Sequence, residues 1–236
     1  MKLHNAVVLI TGANRGLGLA FAREALARGA RKVYAAARDP ASVKLEGVVP
    51  VRLDVTKPDE VAALARELKD VDLLINNAGI AITGGFLNGE ASLRDAQAML
   101  DVNFFGPMRL AQAFVPTLAA NGGGAVLNVL SVASWINGPL LGAYGASKSA
   151  AWAWTNGLRI ELAAQGTQVL GLHAGFIDTD LTQGMDVPKS TPQAIVTAAF
   201  DGLEAGAREV LADDISRLVH RGLTAEPAVY LQALER

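Results

Sequence analysis

The sequence predicts one doubly wound α/β domain, a parallel sheet covered by helices on both faces, and three observations carry that prediction. Short apolar runs with little polar alternation recur along the chain, as expected of strands buried on both sides. Segments with apolar residues at helical spacing separate them, so strands and helices alternate. A glycine-rich turn follows the first run directly, where such a sheet places a ligand.

The elements follow in order. Residues 6–10 read as a strand, 17–28 as an amphipathic helix and 32–37 as a second strand. Residues 48–53 form a strand, 59–68 a helix, 73–75 a strand and 93–118 a long helix. Strand 125–130, helix 144–164, strand 168–173 and a last short strand at 209–211 complete about seven strands. Length and composition agree: 236 residues, 51% of them hydrophobic, suffice for one well-filled core spanning 1–236. Residues 182–192, with two prolines and a glycine, form a flap on the substrate side.

Composition narrows the function. A net charge of −2 with scattered basic residues gives no footprint for nucleic acid or an anionic membrane, so small-molecule partners are expected. With no cysteine and three isolated histidines, disulfides, cysteine nucleophiles and a metal site are not expected. The N-terminal apolar run is too short for a signal sequence or a membrane span, which makes the cytoplasm the expected location.

The turn reads Thr11-Gly12-Ala13-Asn14-Arg15-Gly16-Leu17-Gly18. Its glycines stand where a strand bends into a helix and the backbone must approach a bulky anion, here a pyrophosphate facing helix N-terminal amides. From this turn onward the sequence resembles the short-chain dehydrogenase/reductase family, classical type, whose motifs recur in order over almost the entire chain. Asp54, in Leu53-Asp54-Val55, matches the acidic residue set against the adenine, and Asn76-Asn77-Ala78-Gly79 matches the segment after the fourth strand. Asn103, Ser131, Tyr144 and Lys148 match the family's catalytic set, with Ser131 thirteen residues before Tyr144 and Lys148 four after it. After the sixth strand, His173-Ala174-Gly175-Phe176-Ile177-Asp178-Thr179 resembles a proline-glycine segment in which alanine replaces the proline.

The resemblance implies a Rossmann fold and a hydride transfer between nicotinamide and a ketone or secondary alcohol. It implies cofactor contacts from Gly12, Asn14, Arg15, Gly16, Leu17 and Gly18 in the turn, then from Arg38, Asp54 and Val55. Further contacts fall to Asn77, Ala78 and Gly79, to Tyr144 and Lys148, and to Gly175, Ile177 and Thr179. It also implies that Asn103 helps to hold a water linking Lys148 to solvent.

The catalytic set makes chemical sense without the family. Tyr144 and Lys148, four apart on a helix, share one face, so the ammonium, together with the positive charge of oxidised nicotinamide, can act on the phenol and lower a pKa ordinarily near 10. Tyr144 is then the general acid/base, and Ser131 stabilises the developing charge on the substrate oxygen. His173 reads as a packed strand-end residue, and Asp178 and Asp180 as caps of the following turn. At the end of the second strand, Ala37 occupies the position where an acidic side chain would bind the ribose of NAD. Arg38 follows it, and with Arg15 it can clamp a 2′-phosphate. NADP(H) is therefore expected over NAD(H), with Asp39 the one competing carboxylate.

Ser131, Ala133, Trp135, Leu141, Phe176 and Met185 are expected to shape a mostly apolar substrate pocket, suited to a hydrophobic carbonyl. Two alternatives stand: an epimerase or dehydratase on the same fold, and a non-catalytic NADP(H)-sensing regulator. A homodimer or homotetramer is expected, because helices 93–118 and 144–164 are apolar over more than one face, with Ala146, Ala150, Ala151 and Ala153 permitting close approach and Trp152 and Trp154 supplying area.

Overall fold

In the computed structural model, which describes residues 1–139 and 141–231, seven strands form one parallel sheet in the order β3-β2-β1-β4-β5-β6-β7. The strands are β1 (Val7–Thr11), β2 (Lys32–Ala37), β3 (Val49–Arg52), β4 (Leu73–Asn76), β5 (Ala125–Val129), β6 (Gln168–His173) and β7 (Glu209–Leu211). The order reverses between β1 and β4, and that switch opens a crevice at the carboxyl ends of the strands. This is the doubly wound Rossmann architecture expected from the sequence. The expected domain boundary, 1–236, also takes in Leu140 and residues 232–236, which lie outside the described residues.

Alternation along β1 divides the core. Val8 and Ile10 face the layer formed by α1 (Gly16–Ala27) and α6 (Pro192–Glu204), where Phe21 meets Phe200 edge to face at 5.3 Å. Val7 and Leu9 face the opposite layer, built from α2 (Pro58–Glu67), α4 (Gly106–Ala120) and α5 (Gly142–Glu161). Strands buried on both faces explain the continuous apolar runs.

Three expectations change. The long helix of residues 93–118 is two helices, α3 (Glu90–Leu100) and α4, joined by a π-helical turn at Asp101–Phe105 that contains Asn103. The periodicity passes through such a turn almost unbroken because it inserts a single residue. Pro192 ends no flap; it begins α6, where the Thr191 hydroxyl accepts from the Ala194 amide at 3.2 Å. A seventh helix, α7 (Asp214–Gly222), starts at the Asp213/Ser216 capping box. Among the described residues no helix is long and apolar enough to cross a membrane.

Candidate active site

The crevice begins at the glycine turn, which is tied to the turn after β4. The Thr11 hydroxyl accepts from the Asn77 and Ala78 amides, both at 2.9 Å, and Asn77 Nδ2 donates to the Thr11 carbonyl at 2.8 Å. Packing leaves no room at Gly18, where a Cβ would collide with the Gly12 carbonyl and lie 2.6 Å from Asn77 Nδ2. Gly12 itself has φ +65°, a conformation that side chains disfavour. The N-cap of α1, Arg15, makes no side-chain cap, so the first amides of the helix are left for an anion. These observations fit a dinucleotide: a close backbone approach, an uncapped helix start and flanking cations.

Arg15 and Arg38 are both exposed at the rim. Arg15 is paired with Asp180 at 2.9 Å, so Asp180 does not cap the turn as expected. Both partners of that pair are largely solvated, and such a contact is weak enough to yield to a phosphate. Asp39 is engaged locally, its carboxylate accepting from the Ala41 amide at 3.0 Å. Asp54 accepts from the Thr56 amide and hydroxyl at 3.0 and 2.7 Å. Burial raises its pKa, but those bonds together with Arg38 and Lys57 outweigh it and hold the carboxyl below its usual range. Val55 packs against Gly106 at the start of α4.

Beyond β6, Asp213 moors the loop. Its carboxylate accepts from the Gly175 amide at 2.8 Å and caps α7 through the Ser216 amide at 2.8 Å. Ile177 bridges to Ser190, and its carbonyl accepts from the Thr182 hydroxyl at 2.6 Å. Thr179 reaches the glycine turn, where its Cγ2 would stand 3.4 Å from a Cβ on Gly16. The far end of segment 182–192 is therefore anchored at Ser190.

Ser131, Tyr144 and Lys148 converge at the carboxyl end of β5. Ser131 is buried and caps a short 3-10 turn, its hydroxyl accepting from the Ala133 amide at 3.1 Å. Lys148 is buried, its Nζ donates to the Val129 carbonyl at 2.8 Å and stands 5.9 Å from the centre of the Tyr144 ring. Burial lowers its pKa to about 8, so it remains mostly charged at pH 7. For Tyr144, burial raises the pKa and a hydrogen bond from Ser131 only partly opposes it. The expectation that Lys148 lowers the phenol's pKa is thus not met in the free chain, where desolvation dominates and the ammonium is engaged at Val129.

Asn103 is buried and braces the site from the π turn. Its Oδ1 accepts from the Ile80 amide and its Nδ2 donates to the Ile80 carbonyl, each at 2.9 Å. Nδ2 also donates to Ser147 Oγ at 2.9 Å, and that hydroxyl donates to the Tyr144 carbonyl at 2.7 Å. One side chain thereby joins the loop after β4 to the first turn of α5.

The expected pocket residues divide. Ala133 is buried beside Ser131, and Leu141 is the N-cap of α5. Phe176 lines an open groove of about 570 Å³ between its loop and α7, with Lys189, Ile215 and Leu218. Met185 is half-buried in the segment above. Trp135 stacks on His173, with ring centres 3.9 Å apart. Asp213, which holds the Gly175 amide, was not singled out by sequence. It nevertheless had a legible signal, its capping-box spacing to Ser216.

Residues 6–189 match the family model for short chain dehydrogenases. A ketoacyl reductase from Nostoc sp. is 31% identical over 229 residues, covering 89% of this chain and 79% of its own. A short chain dehydrogenase from Burkholderia cenocepacia J2315, solved in complex with NADP, superimposes with a TM-score of 0.94 at 36% identity over the whole of both chains. A Burkholderia phymatum protein solved with NAD shares the fold at a TM-score of 0.84, with 23% identity and full coverage of both chains. On the family match and the agreement in sequence and fold, this chain belongs to the short-chain dehydrogenase family and is an oxidoreductase of that family.

Proposed function

We propose that the protein is an NADP(H)-dependent carbonyl reductase or alcohol dehydrogenase acting on a small hydrophobic ketone or secondary alcohol. The observation that carries this reading is the meeting of Ser131, Tyr144 and Lys148 beside a glycine turn with an uncapped helix start. The turn residues Gly12, Asn14, Gly16, Leu17 and Gly18 hold the pyrophosphate, Asp54 and Val55 the adenosine side. Asn77, Ala78 and Gly79 back the crevice, while Gly175, Ile177 and Thr179 hold the carboxamide. Bound nicotinamide supplies or accepts the hydride.

The chain's own residues handle the proton and the charge. Ser131 Oγ donates to the substrate oxygen and stabilises its negative charge as it develops. Tyr144 Oη, which burial keeps protonated through neutral pH, gives its proton to that oxygen in reduction and takes one back in oxidation. Lys148, charged at pH 7, stabilises the phenolate left behind. Asn103 fixes the first turn of α5 on which Tyr144 stands. NADPH absorbance followed against aryl, aliphatic, steroid and keto-ester carbonyls tests the reading; turnover of at least one is expected. Tight NADPH binding with no turnover on the whole panel would favour a sensing regulator instead.

Cofactor choice gives a separate prediction. Arg38→Ala, and more so its combination with Arg15→Ala, should weaken NADPH binding about tenfold to a hundredfold and leave NADH binding nearly unchanged, since only NADPH carries the 2′-phosphate. Fluorescence titration with both cofactors measures this, and equal losses for the two would refute the clamp.

The reading includes a homodimer or homotetramer and keeps the cytoplasm as the expected compartment. Along α5, Ala146, Ala153 and Ile160 are exposed at seven-residue intervals, a face suited to close helix pairing. Trp152 adds nothing to that face because it is engaged within the chain, donating to Glu209 at 3.3 Å. Sedimentation at micromolar concentration should show a dimer or larger species; a monomer contradicts the assembly.

A further inference from the structure

The end of β6 carries a side chain that the reaction as written leaves unused. His173 is fully buried, yet both ring nitrogens face oxygens: Nδ1 lies 3.2 Å from the Ser131 carbonyl oxygen and Nε2 3.0 Å from Glu209 Oε1. The contact with Glu209 follows from the sheet. Glu209 pairs in register with Gly171, which has no side chain, so the carboxylate reaches diagonally to His173 two residues on.

A carbonyl and a carboxylate accept hydrogen bonds and donate none, whereas neutral imidazole has a single N–H. A neutral ring would therefore aim one lone pair at an oxygen where no water can relieve it. A doubly protonated ring satisfies both contacts. The surroundings suit a cation, since the Trp135 indole stacks on the imidazole with planes 16° apart. The hydrogen bond from His173 holds the Glu209 carboxyl below its usual range, with help from Trp152 and His220 and against the effect of burial. The charged and titratable groups around this pair are Arg208, just before β7, Arg159 from α5 and His220 from α7, the last edge-on to Trp135 at 5.3 Å.

We propose that His173 is a buried imidazolium clamped between Glu209 and Ser131, and that it is a positioning residue for Ser131. Its Nδ1–H fixes the carbonyl of the peptide unit that follows the serine, and the Ser134 amide donates to the same oxygen at 3.0 Å. This inference rests on the reading of Ser131 as the hydroxyl that holds the substrate oxygen, and the experiment separates the two.

Nitrogen-15 NMR of histidine-labelled intact protein reads the ring state without any substrate, with His173 assigned by the loss of its signals in His173→Asn. Protonation at both nitrogens is expected from the two acceptors that face the ring; an unprotonated nitrogen overturns the imidazolium. Kinetics on a ketone identified by the panel read the positioning role. His173→Leu should lower kcat about tenfold to a hundredfold with the KM for NADPH unchanged, because a 1 Å displacement near the reacting atoms can cost about 10²-fold. His173→Asn, whose Nδ2 takes the place of the ring's Nδ1, should recover most of that loss. In a Ser131→Ala background His173→Leu should cost nothing more, and an undiminished loss there overturns the role. If wild type turns over no carbonyl, the functional reading fails and NMR alone decides the imidazolium.

Discussion

Replacing Tyr144 with phenylalanine is expected to lower kcat by about 10²–10⁴-fold while NADPH affinity stays close to that of wild type. The substitution removes one oxygen and keeps the ring, so the half-buried packing at the first turn of α5 survives. What disappears is the proton carrier hydrogen-bonded by Ser131. Stopped-flow kinetics with a good ketone, beside a binding titration with NADPH, separates the two effects. Near-wild-type turnover would remove Tyr144 from the mechanism; a matching collapse of NADPH affinity would make it a structural residue.

Lys148→Met should also abolish most turnover, and it should stabilise the free protein at pH 7. Burial lowers the ammonium pKa from 10.5 to about 8, so the unfolded chain binds the proton more tightly than the folded one. At about 1.4 kcal/mol per factor of ten, keeping the buried ammonium charged below pH 8 costs about 3 kcal/mol. Losing the bond to the Val129 carbonyl returns roughly 1 kcal/mol of that, which leaves a net gain of about 1–2 kcal/mol in the variant. The sign has a second consequence. Between pH about 8 and about 10 the unfolded state holds a proton that the folded state has released, so wild-type stability should rise relative to the variant and the gap should close. Chemical denaturation of both proteins at pH 7 and pH 9.5 measures this; a variant less stable than wild type at pH 7 would show that the buried charge is compensated. NADPH affinity should fall as well, which distinguishes Lys148 from Tyr144, because the family resemblance implies a hydrogen bond from the lysine to the nicotinamide ribose.

Much of the fold was legible because its signals are local. Strands buried on both faces need unbroken apolar runs, and the i, i+4 spacing of Tyr144 and Lys148 fixes their shared face whatever the rest of the chain does. Gly12 and Gly18 stand where backbone must approach backbone, and a short motif carries that requirement. Helices α6 and α7 had readable signals as well: their starts, Thr191-Pro192 and the Asp213/Ser216 pair, and apolar residues at helical spacing, Ile195, Val196, Ala199, Phe200 and Leu203 in the first and Ile215, Leu218 and Val219 in the second.

The sequence by itself determined the alternation of strands and helices, the glycine turn and which residues stand at the carboxyl ends of the strands. Tertiary structure alone decided how those residues are charged and which way they face. Tyr144 keeps its proton because desolvation outweighs the Ser131 bond, Arg15 meets Asp180 across 165 positions, and Trp135 stacks on His173. The Asn103 turn and the His173–Glu209 pair likewise join segments far apart in the chain. The reason is physical: periodicity is a property of neighbours along the backbone, whereas burial and hydrogen-bond partnership depend on what the whole fold brings within a few ångströms.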